Sequence, residues 1–122
     1  MMILYVAAAS TFLVGLAHSY LGERYILMRL FRRGELPKLN GSDLFTRRVL
    51  RFAWHITTLA WWGFGVQLAL MARGDASVRC LALALAITFL LTAAIVAGTS
   101  RGRHLAWPVF LFIGWAATYA YY

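Results

Sequence analysis

Residues 80–98, CLALALAITFLLTAAIVAG, contain no charged side chain and are close to the roughly 20 residues that cross a hydrocarbon core of about 30 Å at 1.5 Å per residue. A run of this length and polarity reads as a transmembrane helix. Three other stretches, 2–21, 52–72 and 105–122, have the same character. The expected fold is therefore an all-α membrane protein, a four-transmembrane-helix bundle forming a single membrane domain over 1–122. Composition agrees: 62% of residues are hydrophobic and 13% charged, against roughly 45–50% and 25% for soluble domains. The first 22 residues hold no Lys or Arg, so the basic n-region of a secretory signal is missing and 2–21 reads as a retained span.

The net charge of +8 would suggest nucleic acid in a soluble protein. Here the basic residues fall between apolar runs, the pattern that orients helices in a bilayer, and no nucleic-acid partner is expected. Connector 22–51 carries Arg24, Arg29, Arg32, Arg33, Lys38, Arg47, Arg48 and Arg51 against Glu23, Glu35 and Asp43. Connector 99–104 adds Arg101 and Arg103, whereas the connector between them has only Arg73 and Arg79. The positive-inside rule places 22–51 and 99–104 in the cytoplasm and both termini on the other side, in what is expected to be a bacterial inner membrane. Trp54 and Trp107 then fall at the inner interface, and Tyr119, Tyr121 and Tyr122 at the outer one, as an aromatic belt requires.

Within 23–33, Ile26, Leu27, Leu30 and Phe31 share one side of a helical wheel and four arginines the other. This segment either lies in the headgroup plane or extends the first helix. Gly34, Pro37 and Asn40-Gly41 interrupt it, and Ser42 or Asp43 is placed to cap a second helix that begins well before the membrane. Anionic lipids are the expected partners of so basic an end, alongside a homo-oligomer or a larger membrane complex.

All three histidines, His18, His55 and His104, map to that same end at similar depth. Glu23 lies just beyond His18, with Arg24, Arg51, Arg101 and Arg103 nearby as lipid or propionate contacts. Ionisable groups at membrane depth face the bundle interior, because lipid cannot satisfy them. If the helix rotations bring them together, three readings follow. His18, His55, His104 and Glu23 would suit a transition metal. Two of the histidines could hold a b-type haem axially, with Gly15, Gly63 or Gly65 making room for the ring. Or His18, His55 and Glu23 form a proton-handling or phosphate-binding group under the basic loop. Independent hydrogen bonding of each ring at the interface is the ordinary alternative. No HExxH, CxxC or GxGxxG motif is present, and the lone Cys80 excludes an internal disulfide.

Thr11, Gly15 and Ser19 form a small-residue stripe at i, i+4 spacing, whose default meaning is close helix packing. Thr88, Thr92 and Thr99 share one side of the third span, where hydroxyls bond their own helix. Trp61, Trp62 and Trp115 lie near mid-membrane and are expected at helix contacts or an oligomer interface. Small multidrug transporters are similar in size alone, since the first span here lacks the acidic residue on which they depend. Two functions remain open: an accessory or structural subunit of a membrane assembly, and a cofactor-binding redox or lipid-headgroup-handling protein using His18, His55 and His104.

Overall fold

A computed structural model describes residues 1–119, and among them the chain is all-helical. Helix α1 spans Met2–Leu21, a π-helical segment spans Gly22–Leu27 and α2 spans Met28–Arg33. Together they form one rod, so the amphipathic segment extends the first helix. Helices α3 (Leu44–Arg73), α4 (Val78–Ser100) and α5 (Ala106–Tyr119) follow. The rod and α4 are long and apolar enough to cross a membrane. The expected interfacial residues Tyr121 and Tyr122 lie outside the described residues.

Local chemistry sets the boundaries. Gly34 ends the rod with φ +71°, a conformation that a Cβ would penalise. Asn40 and Gly41 then turn the chain with positive φ while Leu39 and Ser42 exchange backbone hydrogen bonds. Ser42 Oγ accepts from Leu44 N–H at 3.2 Å, whereas the Asp43 carboxylate bonds Arg47 Nε at 2.9 Å instead of the backbone. Ser77 caps α4 by accepting from Cys80 N–H.

Packing runs in sequence: α1 against α3, α3 against α4, α4 against α5. Among the described residues the four long elements form an open row and not a closed bundle, since α1 and α5 make no extended seam with each other. The interior is built mostly of small side chains. Ala8, Ala72, Ala82, Ala84, Ala86 and Ala93 are buried, while Leu13, Leu16, Phe64, Leu105 and Phe112 stand exposed. This inverts the usual partition of a soluble core, and matches membrane helices, where small residues let backbones approach and lipid covers the large ones. Only 11% of the rod's most apolar window and 33% of that of α4 is buried within the chain, so most of both faces outward.

Close approach marks each seam. A methyl group at Gly22 would overlap the Trp54 indole of α3, one at Gly63 would meet Thr88 of α4, and one at Gly114 would reach within 2.7 Å of Leu90 Cγ. The Thr11, Gly15, Ser19 stripe faces α3 as expected: Thr11 lies against Gly65, Gly15 against Trp62 and Thr58, and Ser19 against His55.

Candidate functional site

The arginine-rich end of the α1–α3 seam holds a continuous polar chain. Arg51 grips Glu23 through both oxygens, Nη2 to Oε1 at 2.8 Å and Nε to Oε2 at 3.2 Å. The same Oε2 lies 3.2 Å from His55 Nε2. On the far side of the ring, His55 Nδ1 is 2.9 Å from Ser19 Oγ. Ser19 Oγ is 2.8 Å from Thr58 Oγ1, which donates to the Gly15 carbonyl at 3.2 Å. Helical spacing explains the alignment: Gly15, Ser19 and Glu23 recur every four residues on the rod, and Arg51, His55 and Thr58 recur at i, i+4, i+7 on α3.

Glu23 lies in the π-helical turn, where Met28 N–H donates to the Glu23 carbonyl five residues back. Such turns re-aim side chains and recur at functional sites. Beyond it Leu27 and Phe31 are buried, and the Phe31 ring receives Arg51 at 5.0 Å and Arg47 at 5.6 Å.

Proton bookkeeping constrains the chain. With Thr58 donating to Gly15, Thr58 Oγ1 must accept from Ser19, so Ser19 Oγ accepts from His55 Nδ1–H. Glu23, a carboxylate held by Arg51, requires a donor at Nε2. All four bonds are therefore made only by the doubly protonated imidazolium. Removing one proton costs one bond, or reverses both hydroxyls and releases the Gly15 carbonyl. His55 thus joins a carboxylate to a line of hydroxyls that can reorient.

Ser19, His55 and Glu23 are the residue types of a hydrolase triad, but the surroundings differ. Ser19 is engaged by Thr58 within a helix seam, and the backbone N–H groups around it are spent on α1, so no oxyanion hole accompanies the hydroxyl.

His18 and His104 have other neighbours. His18 stacks on Trp54 with ring centroids 4.6 Å apart and planes at 3°, and meets Trp61 at 4.8 Å. Trp54 Nε1 donates to the His18 carbonyl, while His18 Nε2 is buried without a hydrogen-bond partner among the described residues. His104 sets its ring edge-on to Phe52 at 5.1 Å, and its Nδ1 accepts from Ala106 N–H, capping α5. All three histidines lie at one end, around a single turn of α3, but Trp54, His55 and Phe52 leave that turn in different directions. The expected ligand set His18, His55, His104 and Glu23 is therefore not brought together. Only His55 and Glu23 meet, and among the described residues no group of three or more His, Cys, Asp or Glu side chains is disposed to hold a metal ion. The two-histidine haem arrangement gains no support from rings committed to separate neighbours.

Two cavities and a groove adjoin the chain. A cavity of about 460 Å³ between α3 and α4 is lined by Arg47, Arg48, Arg51, His55 and Thr99, among others. A second cavity, of about 400 Å³, shares Leu44 and Arg48 with it and reaches Arg103. A mostly apolar groove of about 400 Å³ follows the other side of the α1–α3 seam past His18, Tyr25, Trp54 and Trp61. Comparison with protein-family models, curated proteins and solved structures finds no match.

Of the expected lipid contacts, Arg51 pairs with Glu23, Arg103 lines a cavity, Arg24 lines a polar cleft with Arg29 and Arg32, and Arg101 closes α4 in the left-handed region at φ +54°. Ser19 and Thr58 belong to this polar chain, although the sequence marks Ser19 only as part of a packing stripe and Thr58 not at all. The signal was present: the Thr11, Gly15, Ser19 stripe continues at the same spacing into Glu23.

Proposed function

We propose that the chain is a four-span membrane protein of a bacterial inner membrane, with connectors 22–51 and 99–104 cytoplasmic and both termini outside. At the cytoplasmic end, the arginine-lined cavity between α3 and α4 binds an anionic headgroup, and His55, the joint of the Glu23–His55–Ser19 chain, takes up a proton from solvent as the headgroup binds. The observation that carries this reading is the double membership of His55: it is the joint of the hydrogen-bonded chain and a wall of a cavity lined by three arginines. Arginines bind phosphate by charge and by paired N–H groups, and an imidazole beside them can take or give a proton near neutral pH. Four spans are supported by the outward exposure of large apolar side chains on every long helix.

Calorimetric titration of the detergent-purified protein with dihexanoyl phosphatidylglycerol, in two buffers of different ionisation enthalpy, tests the proposal. Binding accompanied by proton exchange that His55→Gln abolishes is the expected result; binding with no buffer dependence overturns it. Topology is tested separately by labelling single cysteines at Asn40 and Asp75 in a Cys80→Ala background with a membrane-impermeant reagent. Asp75→Cys should react from the outer face and Asn40→Cys only after permeabilisation.

A second reading, an accessory subunit of a larger assembly, is favoured by the open row. Helix α5 presents Phe112, Trp115 and Tyr119, 58–78% exposed, with nothing among the described residues across from them. Native mass spectrometry of the complex extracted in mild detergent distinguishes a monomer from a homo-oligomer or a hetero-complex. A metal or haem role is tested on the same sample by elemental analysis and an absorbance spectrum.

A further inference from the structure

The apolar groove between α1 and α3 runs past Val14, Ala17, Leu21, Ile26, Trp54 and Trp61, on the side of the seam away from the arginine-lined cavity. From Val14 to Ile26 it extends about 18 Å along the helix at 1.5 Å per residue, the reach of a fatty acyl chain. At its end Tyr25 is shared with a second, polar cleft of about 250 Å³ lined by Arg24, Met28, Arg29 and Arg32. Arg29 is stacked over the Tyr25 ring at 5.5 Å. The ion pairs of the described residues use Arg47, Arg51 and Arg73 and none of these three arginines. An apolar trough that adjoins, at Tyr25, a cleft of three arginines without carboxylate partners among the described residues matches an amphiphile with an apolar tail and a phosphate head. The wall of the trough also holds His18, whose buried Nε2 has no hydrogen-bond partner among the described residues.

We infer that this groove and cleft form a binding site for one anionic phospholipid, its acyl chain along Trp54 and Trp61 and its phosphate held by Arg24, Arg29 and Arg32. Tyr25 marks the boundary between chain and head, where an aromatic ring with a hydroxyl is at home. The inference rests on the reading that the chain spans a membrane. It does not depend on proton exchange at His55.

Trp54 and Trp61 make the site measurable. The full chain in nanodiscs of phosphatidylcholine is supplied with phosphatidylglycerol or phosphatidylcholine brominated on the acyl chain, and tryptophan fluorescence is followed. Brominated phosphatidylglycerol should quench at roughly tenfold lower mole fraction than brominated phosphatidylcholine, as expected of several arginine–phosphate contacts at a membrane surface. The preference should disappear in Arg24→Gln/Arg29→Gln/Arg32→Gln and in Trp54→Phe/Trp61→Phe. In the wild type it should shrink as salt is raised, because the contacts are exposed to solvent. Equal quenching by the two lipids, a preference that survives the arginine substitutions, or one indifferent to salt overturns the lipid site while leaving the membrane reading intact. Absence of quenching by either lipid overturns both. Inorganic phosphate in the millimolar range should not relieve the quenching; if it does, the cleft serves free phosphate and the lipid assignment is wrong.

Discussion

The seam between α1 and α3 and the seams on either side of α4 solve the same packing problem with opposite chemistry. Across the first run the Arg51–Glu23 pair, the Glu23–His55–Ser19–Thr58 chain, and two indole donors, Trp54 to the His18 carbonyl and Trp62 to the Phe12 carbonyl. Along α4 the hydroxyls of Thr88, Thr92, Thr99 and Ser100 bond carbonyls of their own helix, four residues back. Contact with α3 and α5 is made there by Gly63, Gly114 and the Phe89–Phe110 ring pair at 6.1 Å. Small residues at close approach suffice to pack membrane helices. A seam that also carries linked charges and hydroxyls holds more than packing requires, and the candidate site is therefore sought on the α1–α3 side.

The largest effect is expected where the polar seam is forced apart. Gly22→Leu sets a side chain into the Trp54 indole and displaces its bond to His18, at a cost of about 1–3 kcal/mol or more by overpacking. A lowered midpoint in thermal unfolding in detergent checks this, together with a change in tryptophan emission. Next is Glu23→Leu, which leaves Arg51 and His55 without their acceptor at a partly buried position and is expected to cost about 1–3 kcal/mol. His55→Gln should cost less in the Glu23→Leu background than in the wild type, since the two share one network.

Thr58→Val and Thr92→Val sharpen the contrast directly. Both remove a buried hydroxyl at nearly constant volume. Thr58→Val removes one partner of the Ser19 hydroxyl and the side-chain donor to the Gly15 carbonyl and should destabilise by about 1 kcal/mol. Thr92→Val loses only a bond within its own helix and should leave stability within about 0.5 kcal/mol. Equal effects at the two positions would break the distinction between the seams.

The smallest effect lies outside both. The hydrogen bond from Arg47 holds the Asp43 carboxyl below its ordinary value of 3.8. A depressed carboxyl contributes stability at neutral pH, and that contribution disappears as the pH falls through the lowered value. Asp43→Asn should therefore differ slightly from the wild type near pH 7 and converge with it in acid, as followed by circular dichroism.

Much of this was legible in the sequence. The four apolar runs anticipated the helices, the start of α3 near Asp43 and the clustering of the histidines at one end. The bonding of Thr88, Thr92 and Thr99 to their own helix was expected and is observed, and Trp61 and Trp62 do lie at a helix contact. Among the described residues, the rings that pair with Trp115 are those of Phe112 and Tyr119 on its own helix. What was not legible was rotation. Depth along a helix follows from counting residues, but the direction of a ring depends on which neighbour the helix packs against. His18, His55 and His104 are level and still look toward Trp54, Glu23 and Phe52. Nor does a list of spans distinguish an open row from a closed bundle, because both bury one stripe of each helix. The π-helical turn at Glu23 was equally hidden, since nothing in the composition of Gly22–Leu27 demands five-residue hydrogen bonding in place of four.

The central claim is that Glu23, His55 and Ser19 act as one hydrogen-bonded unit between α1 and α3. Nitrogen-15 spectra of histidine-labelled protein in phospholipid nanodiscs test it most directly. Both ring nitrogens of His55 should report hydrogen bonds, Glu23→Gln should move the Nε2 signal and Ser19→Ala the Nδ1 signal, with His18 and His104 unmoved. A His55 ring indifferent to both substitutions would contradict the account.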